Sequence, residues 1–375
     1  MIFEPNYINI EHKNVQNNLN SNIIINKKLY NDINLIKNEI DDIDNYKWRL
    51  IRCIMTDYEF IGNNKFHNIK QLKNRHTISR AYYKLWEILC YYENDFKLFQ
   101  NRDTPLRLAG LAEAPGGFIQ CLVDYRGNKN DDLTGISLKD SKNNKIDWLL
   151  TNKNVKIIYG NEKKNHDGNL YNPDIINYYC KYYKKNKANF VTADGGFLLN
   201  EKQESHKGQF HNGLFLAETY IALRILKDGG HFVMKIYDSC NKTMIDILTI
   251  LNQVFSKVHI MKPVTSREMN NENYIICIDY KYNQKIISSI GRIIRYMWNN
   301  DNKLIINSIF KQTDKRLANL FSKISKQKML YQEKKLKGAI KLKNKTNDEL
   351  IQMVKNNHKY KSKKAYTWLE NNFLA

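Results

Sequence analysis

Leu106 to Phe118 reads LRLAGLAEAPGGF. A short apolar run stops at a glycine turn stiffened by Pro115, and the chain resumes as FIQCLVDY with the spacing of a helix. Strand, tight turn and helix form the repeating unit of a mostly parallel sheet covered on both faces. Gly116 and Gly117 would let a ligand approach the backbone and meet the N-terminus of the following helix. The turn lacks both the G-x-G-x-x-G of dinucleotide sites and the GK[ST] ending of a phosphate loop. Glu113 adds an acceptor, so a cofactor with an amino group and a positive centre would suit it.

The same unit recurs downstream. DLTGISL, NVKIIYG, ANFVTADGG, HFVMKIYD, KVHIMKP and ENYIICIDYK read as the second to seventh strands, with helices such as GLFLAETYIALRILKDGG and MIDILTILNQVF between them. Upstream, Ala81, Leu85, Ile88 and Leu89 recur at helical spacing, which places Lys84 on a helix near one edge of its apolar face. Sheets of this kind bind ligands at the carboxyl ends of their strands, where EAPGG, Asp194 and Lys235 all fall. Glu272 begins the last strand. Two lysines and two carboxylates at such an edge can deprotonate a hydroxyl. Taken singly, each has an ordinary reading as a solvated lysine or a turn former.

Three regions follow from the pattern: an Asn-rich, partly ordered N-terminal extension over 1–75, the α/β domain over 76–282, and a basic helical C-terminal module over 283–375. The extension has its best helical stretch at Leu35 to Arg52. The net charge is +22, and from Lys281 onward 22 Lys/Arg stand against 6 Asp/Glu, so +16 of it lies there. That concentration favours a polyanionic partner. No apolar run approaches the ~20 residues of a membrane span, and no secretory signal is evident. Six cysteines without a C-x-x-C pair read as reduced core thiols of an intracellular compartment, with no zinc or other metal implied. His206 and His211 read as surface or substrate-side residues.

EAPGGF, preceded by SRAYYKLWEI and followed by ADGG, VMKIYD and SREMNNENYIIC, resembles the FtsJ-like family of S-adenosylmethionine-dependent RNA ribose 2′-O-methyltransferases. The resemblance covers Ile78 to Lys281 and implies a Rossmann-like class I methyltransferase with a seven-stranded sheet, its last strand antiparallel. GISLK (Gly135 to Lys139) and YGNEKKNHDGNLYNPDII (Tyr159 to Ile176) look closest to the eukaryotic and viral mRNA cap branch. It implies a catalytic tetrad of Lys84, Asp194, Lys235 and Glu272, with Lys235 as the base; Glu268 rivals Glu272 for the last place. Glu113, Pro115, Gly116, Gly117 and Phe118 resemble the methionine-side loop of the cofactor site, which Asp194 adjoins. Asp167 and Gly168 resemble the adenine-recognising segment, although an Asp-Gly turn is an equal reading. Ser79 aligns with a cofactor-contacting position, and Arg267 is placed to meet a substrate phosphate. Gly110 stands where many members carry Asp. The expected partners are capped mRNA and a protein of the capping machinery, in cytoplasm or nucleus or, for a viral protein, in host cytoplasm or virion. Ribosomal RNA methylation and a non-catalytic RNA-binding role remain as alternatives.

Overall fold

A computed structural model describes residues 26–62, 76–139, 148–150, 152, 154–196, 207–237, 241–299, 309–310 and 314–373. All seven expected strands are present: β1 Arg107–Leu111, β2 Asp132–Ile136, β3 Val155–Ile157, β4 Ala188–Ala193, β5 Leu226–Tyr237, β6 Phe255–Met261 and β7 Glu272–Tyr280. They form one sheet in the order β3-β2-β1-β4-β5-β7-β6. β7 slips between β5 and β6 and runs antiparallel to both, while the other adjacent pairs are parallel. The start of β7 therefore lies at the same edge as the ends of β1, β4 and β5.

Alternation along the strands sorts side chains onto two faces. Phe232, Met234, Ile236, Ile275 and Cys277 enter one core, which they share with α5 (Pro173–Tyr182), α6 (Lys207–Ile225), α7 (Lys242–Val254) and α8 (Gln284–Asn299). Val233, Tyr274, Ile276 and Ile278 enter the other, beneath α3 (Ala81–Tyr91) and α4 (Gly117–Arg126). Lys235 and Glu272 continue the second series by two residues each, so the period of the strands aims both toward the α3 side.

The helical stretch expected from Leu35 to Arg52 is two helices, α1 (Lys27–Asp41) and α2 (Asn45–Met55), with Asp44 capping the second by accepting from the Lys47 N–H. The basic C-terminal region is helical as expected, in α8, α9 (Lys315–Ile340) and α10 (Asn347–Phe373), and it shares its cores with the sheet. Ile33, Ile36 and Ile40 of α1 are buried with Phe321, Met329 and Leu336 of α9. α10 ends with Phe373 stacked on Trp86 of α3 at 3.9 Å and 8°. Buried Lys361 of α10 donates to the carbonyls of Cys53, Ile54 and Thr56 at 3.0, 2.5 and 2.9 Å. These are carbonyls that the end of α2 leaves without helical partners. Cys121, Cys180 and Cys277 are buried free thiols, and Cys53 and Cys90 half-buried ones; Cys240 lies outside the described residues. Among those residues no helix is long and apolar enough to cross a membrane.

Candidate active site

α3 is fastened to the β6–β7 loop by residues on one stripe. Arg80, Lys84 and Glu87 sit at i, i+4 and i+7, one above another on a helix. Arg80 donates to the Thr265 carbonyl at 2.8 Å. Glu87 accepts from the Val264 and Thr265 N–H groups at 2.7 and 3.1 Å and from the Thr265 hydroxyl at 2.9 Å. Between these two anchors the Lys84 ammonium reaches Glu272, 2.6 Å from its Oε1. The same carboxylate accepts from the Tyr274 and Ser266 hydroxyls at 2.9 and 3.2 Å. Burial pushes the Glu272 carboxyl up, but Lys84 and Lys235 outweigh it and bring the value down to about 2. Glu272 is therefore a fixed anion at neutral pH. Glu268 instead faces Lys335 and the Asp57 N–H, away from Lys84.

Asp194 follows β4 directly, and its N–H donates to the Leu111 carbonyl at 3.2 Å, which ties the ends of β1 and β4. Lys235 Nζ lies 3.0 Å from Asp194 Oδ1 and donates to the Asp194 carbonyl at 2.6 Å. Burial lowers the Lys235 value, yet Asp194, Tyr237 and Glu272 together raise it above that of an ordinary lysine. The structure thus holds Lys235 as an ammonium between two carboxylates. All four members of the expected tetrad meet at one sheet edge.

The glycine turn lies beside them. Gly116 has φ +110° and caps the N-terminus of α4. A Cβ on Gly117 would come 2.2 Å from Ser79 Oγ, so Ser79 closes against the turn. Trp148 covers it: its ring lies about where a Cβ of Gly116 or Gly135 would point, and its indole N–H is buried with no partner among the described residues. The Lys139 N–H donates to the Asp167 carbonyl at 2.6 Å, which brings the Asp167–Gly168 segment to the end of β2. One oxygen of exposed Asp167 accepts from the Asn169 N–H at 3.0 Å, so the turn reading holds, and the other carboxylate oxygen is not used in that turn. Gly168, at φ +80°, passes so close to the Ser137 carbonyl that a Cβ would sit 2.0 Å from its oxygen. Glycines pressed against their neighbours and an unpartnered buried donor fit a flat heteroaromatic cofactor with an amino-acid end, as S-adenosylmethionine is.

Several expectations need refinement or correction. Glu113 does not present an open acceptor: it is buried, takes a hydrogen bond from Thr192 and packs against Gly110, and burial raises its carboxyl well above the ordinary range. Phe118 is a core residue, tilted on Tyr274 at 5.8 Å. Pro115, in a cis peptide, turns its carbonyl to the Leu149 N–H at 3.0 Å. Arg267 is not a free phosphate ligand. Its guanidinium grips Glu59 with both arms, Nε to Oε2 at 2.9 Å and Nη2 to Oε1 at 2.7 Å, and so ties the segment after α2 to the β6–β7 loop. His211 is buried, which removes the surface reading, but its ring lies 4.7 Å from that of Tyr237 and near Gly196 beside Lys235, so the substrate-side reading stands open; His206 lies outside the described residues.

Two neighbours escaped the sequence reading. The Tyr237 ring lies 5.8 Å from Lys235 Nζ. Glu218 of α6 is fully buried under Gly195, with neither carboxylate oxygen in a well-formed hydrogen bond, and burial raises its value well above the usual range. Its sequence signal was one acid inside the apolar run GLFLAETYIAL.

Comparison with known proteins fits this geometry. The profile of FtsJ-like methyltransferases matches residues 77–280, more than half of the chain. The chain belongs to the FtsJ-like methyltransferase family. Among its relatives, the cap-specific mRNA (nucleoside-2'-O-)-methyltransferase 1 of Mus musculus is 29% identical over 178 residues, 46% of this chain and 21% of the relative. The corresponding protein of Xenopus laevis is 24% identical over 275 residues, 71% of this chain and 32% of the relative. The cap-specific mRNA (nucleoside-2'-O-)-methyltransferase 2 of Drosophila melanogaster is 27% identical over 266 residues, 67% of this chain and 36% of the relative. The matches therefore span about a fifth to a third of these relatives' length. Among solved structures, a ribosomal RNA methyltransferase from Plasmodium falciparum aligns over 55% of this chain and 99% of its own at 22% identity, with a TM-score of 0.40.

Proposed function

We propose that this chain methylates the ribose 2′-oxygen of RNA, at the cap-proximal nucleotide of capped mRNA, with S-adenosylmethionine as methyl donor. The observation that carries the reading is the convergence of the Lys84–Glu272 and Lys235–Asp194 pairs at the strand edge beside the glycine turn. A pure RNA-binding scaffold has no physical need for paired lysines and carboxylates buried there. The cap preference draws its support from the relatives named above, whose activity is cap-specific.

S-adenosylmethionine, when bound, supplies an electrophilic methyl group on a sulfonium. Gly116, Gly117, Ser79, Gly168 and Asp167 would hold it at the ends of β1 and β2. The chain must then align a ribose hydroxyl with that methyl carbon and accept the hydroxyl proton as the new O–C bond forms and the C–S bond breaks. Lys235 is the base in this reading. Its amine must first shed a proton, and Asp194 and Glu272 oppose that loss in the resting state. A second cationic centre beside Nζ would favour that loss. Lys84 and Glu272 position the site: Lys84 neutralises Glu272, and Glu272 fixes Tyr274 and Ser266 around it.

The test is methyl transfer to one short RNA in capped and uncapped forms. Transfer to the ribose of the capped form alone is the expected result. Equal transfer to both, or preference for structured ribosomal RNA, would replace the cap assignment with a ribosomal one.

A further inference from the structure

At the end of the sheet opposite the candidate active site a groove of about 540 Å³ opens between α5, α6 and α8. Topology puts it there. Lys187 directly precedes β4, Arg224 ends α6 just before β5, and Tyr282 follows the exit of β7. Six cations line it: Lys181, Lys184, Lys187, Arg224, Arg292 and Arg295. Among the described residues no Asp or Glu lines it, and none of the six is paired with a carboxylate. The cations crowd one another. Lys187 Nζ donates to the Arg224 carbonyl at 2.5 Å, and burial, with Arg224 adding to it, lowers the Lys187 value below that of an ordinary lysine. Arg224 stacks over Tyr220 at 5.1 Å and donates to Asn177 Oδ1 at 2.9 Å, which fixes its guanidinium in the wall. Like charges gathered without counter-charge disfavour the compact state unless an anion joins them.

α8 links the groove to the active-site edge. α8 starts at it and runs back along α6 toward the active-site edge, where Met297 packs against Gly213. Arg292 and Arg295 succeed each other along that helix. Its 16 residues cover ~24 Å, about seven nucleotides at a stacked rise of ~3.4 Å. Exposed Tyr282 adds an aromatic ring to the cationic surface, the combination that single-stranded nucleic acid uses.

The geometry points to a second RNA contact in this groove: it holds the phosphodiester backbone of the substrate strand several nucleotides from the ribose that is methylated. The inference rests on the RNA reading proposed above. An acidic phosphopeptide would meet the same charge, but the groove's cations, joined by α8 to the active-site edge, favour a strand continuous with the substrate.

The test uses the full chain with Lys184→Gln, Arg292→Gln and Arg295→Gln combined, none of them in the candidate active site. Methylation is measured on a capped trinucleotide and on a capped RNA of about twenty nucleotides, with RNA affinity followed against salt. The expected result is a KM for the long RNA raised at least tenfold, with its kcat and both constants for the trinucleotide unchanged. Three lost phosphate contacts should lower the salt slope by about 2. Unchanged cofactor affinity shows that the variant is folded. An unaltered KM for the long RNA, or an equal rise for the trinucleotide, overturns the groove assignment. So does a phosphoserine peptide that binds the wild type but not the variant while long-RNA kinetics stay equal. If the wild type methylates neither RNA, the functional reading fails instead, and the two failures are distinct.

Discussion

Lys84 Nζ lies 2.6 Å from Glu272 Oε1, which joins a helix that precedes the sheet to the strand that completes it. Glu272 is buried and Lys84 mostly so, and removing one partner leaves an uncompensated charge. Glu272→Gln should destabilise the fold by roughly 3 kcal/mol, measured by denaturant unfolding, and should reduce methyl transfer. Replacing both residues with Met should restore much of the stability and none of the activity. Because Glu272 is held near 2 against an ordinary 4.5, its contribution is complete above about pH 4.5 and is lost as pH falls toward 2. The gap between wild type and variant should therefore close in acid.

Glu218 has the opposite sign. Burial raises its carboxyl, so the stability linked to it is present below the ordinary value and is lost as pH rises toward the folded one. Glu218→Gln removes that burden. Its thermal midpoint should exceed that of the wild type at pH 8 by an amount worth at least ~1 kcal/mol, and the difference should shrink toward pH 4. Equal midpoints at pH 8 would show that the carboxyl finds compensation.

Lys361→Met should free the end of α2, because three of its carbonyls lose their donor. We expect roughly 1–3 kcal/mol of destabilisation, with faster amide exchange across Asn45–Met55. Methylation by the folded fraction should be unchanged.

Gly168→Ala tests the cofactor segment. Its φ of +80° and the Ser137 carbonyl leave no room for a Cβ, so the turn must shift. S-adenosylmethionine affinity by calorimetry should fall at least tenfold, about 1.4 kcal/mol. Unaltered affinity would remove this segment from the site.

Much of the sheet was legible because its signals are local. Apolar runs such as NFVTA and YIICI end at Gly, Asp or Asn, and each proved a strand. The meeting of Lys84, Asp194, Lys235 and Glu272 was legible because the last three lie at or near strand ends on one sheet edge and Lys84 on a helix whose apolar face packs there. What stayed hidden depends on partners distant in sequence. Arg267 looked available until Glu59, far back in the chain, occupied it. Glu113 looked like an open acceptor because nothing local shows that Thr192 and Gly110 enclose it. The clasp of α1 and α2 by α9 and α10 was equally invisible, since an amphipathic helix shows that it has a buried face and not what covers it.

In the proposed reaction Lys235 accepts the ribose proton. The most direct measurement is single-turnover methyl transfer to capped RNA by Lys235→Ala, with RNA and cofactor affinities measured on the same variant. The rate should fall by about 10²–10⁴, with both affinities nearly unchanged. A rate close to that of the wild type, with binding intact, would contradict that role for Lys235.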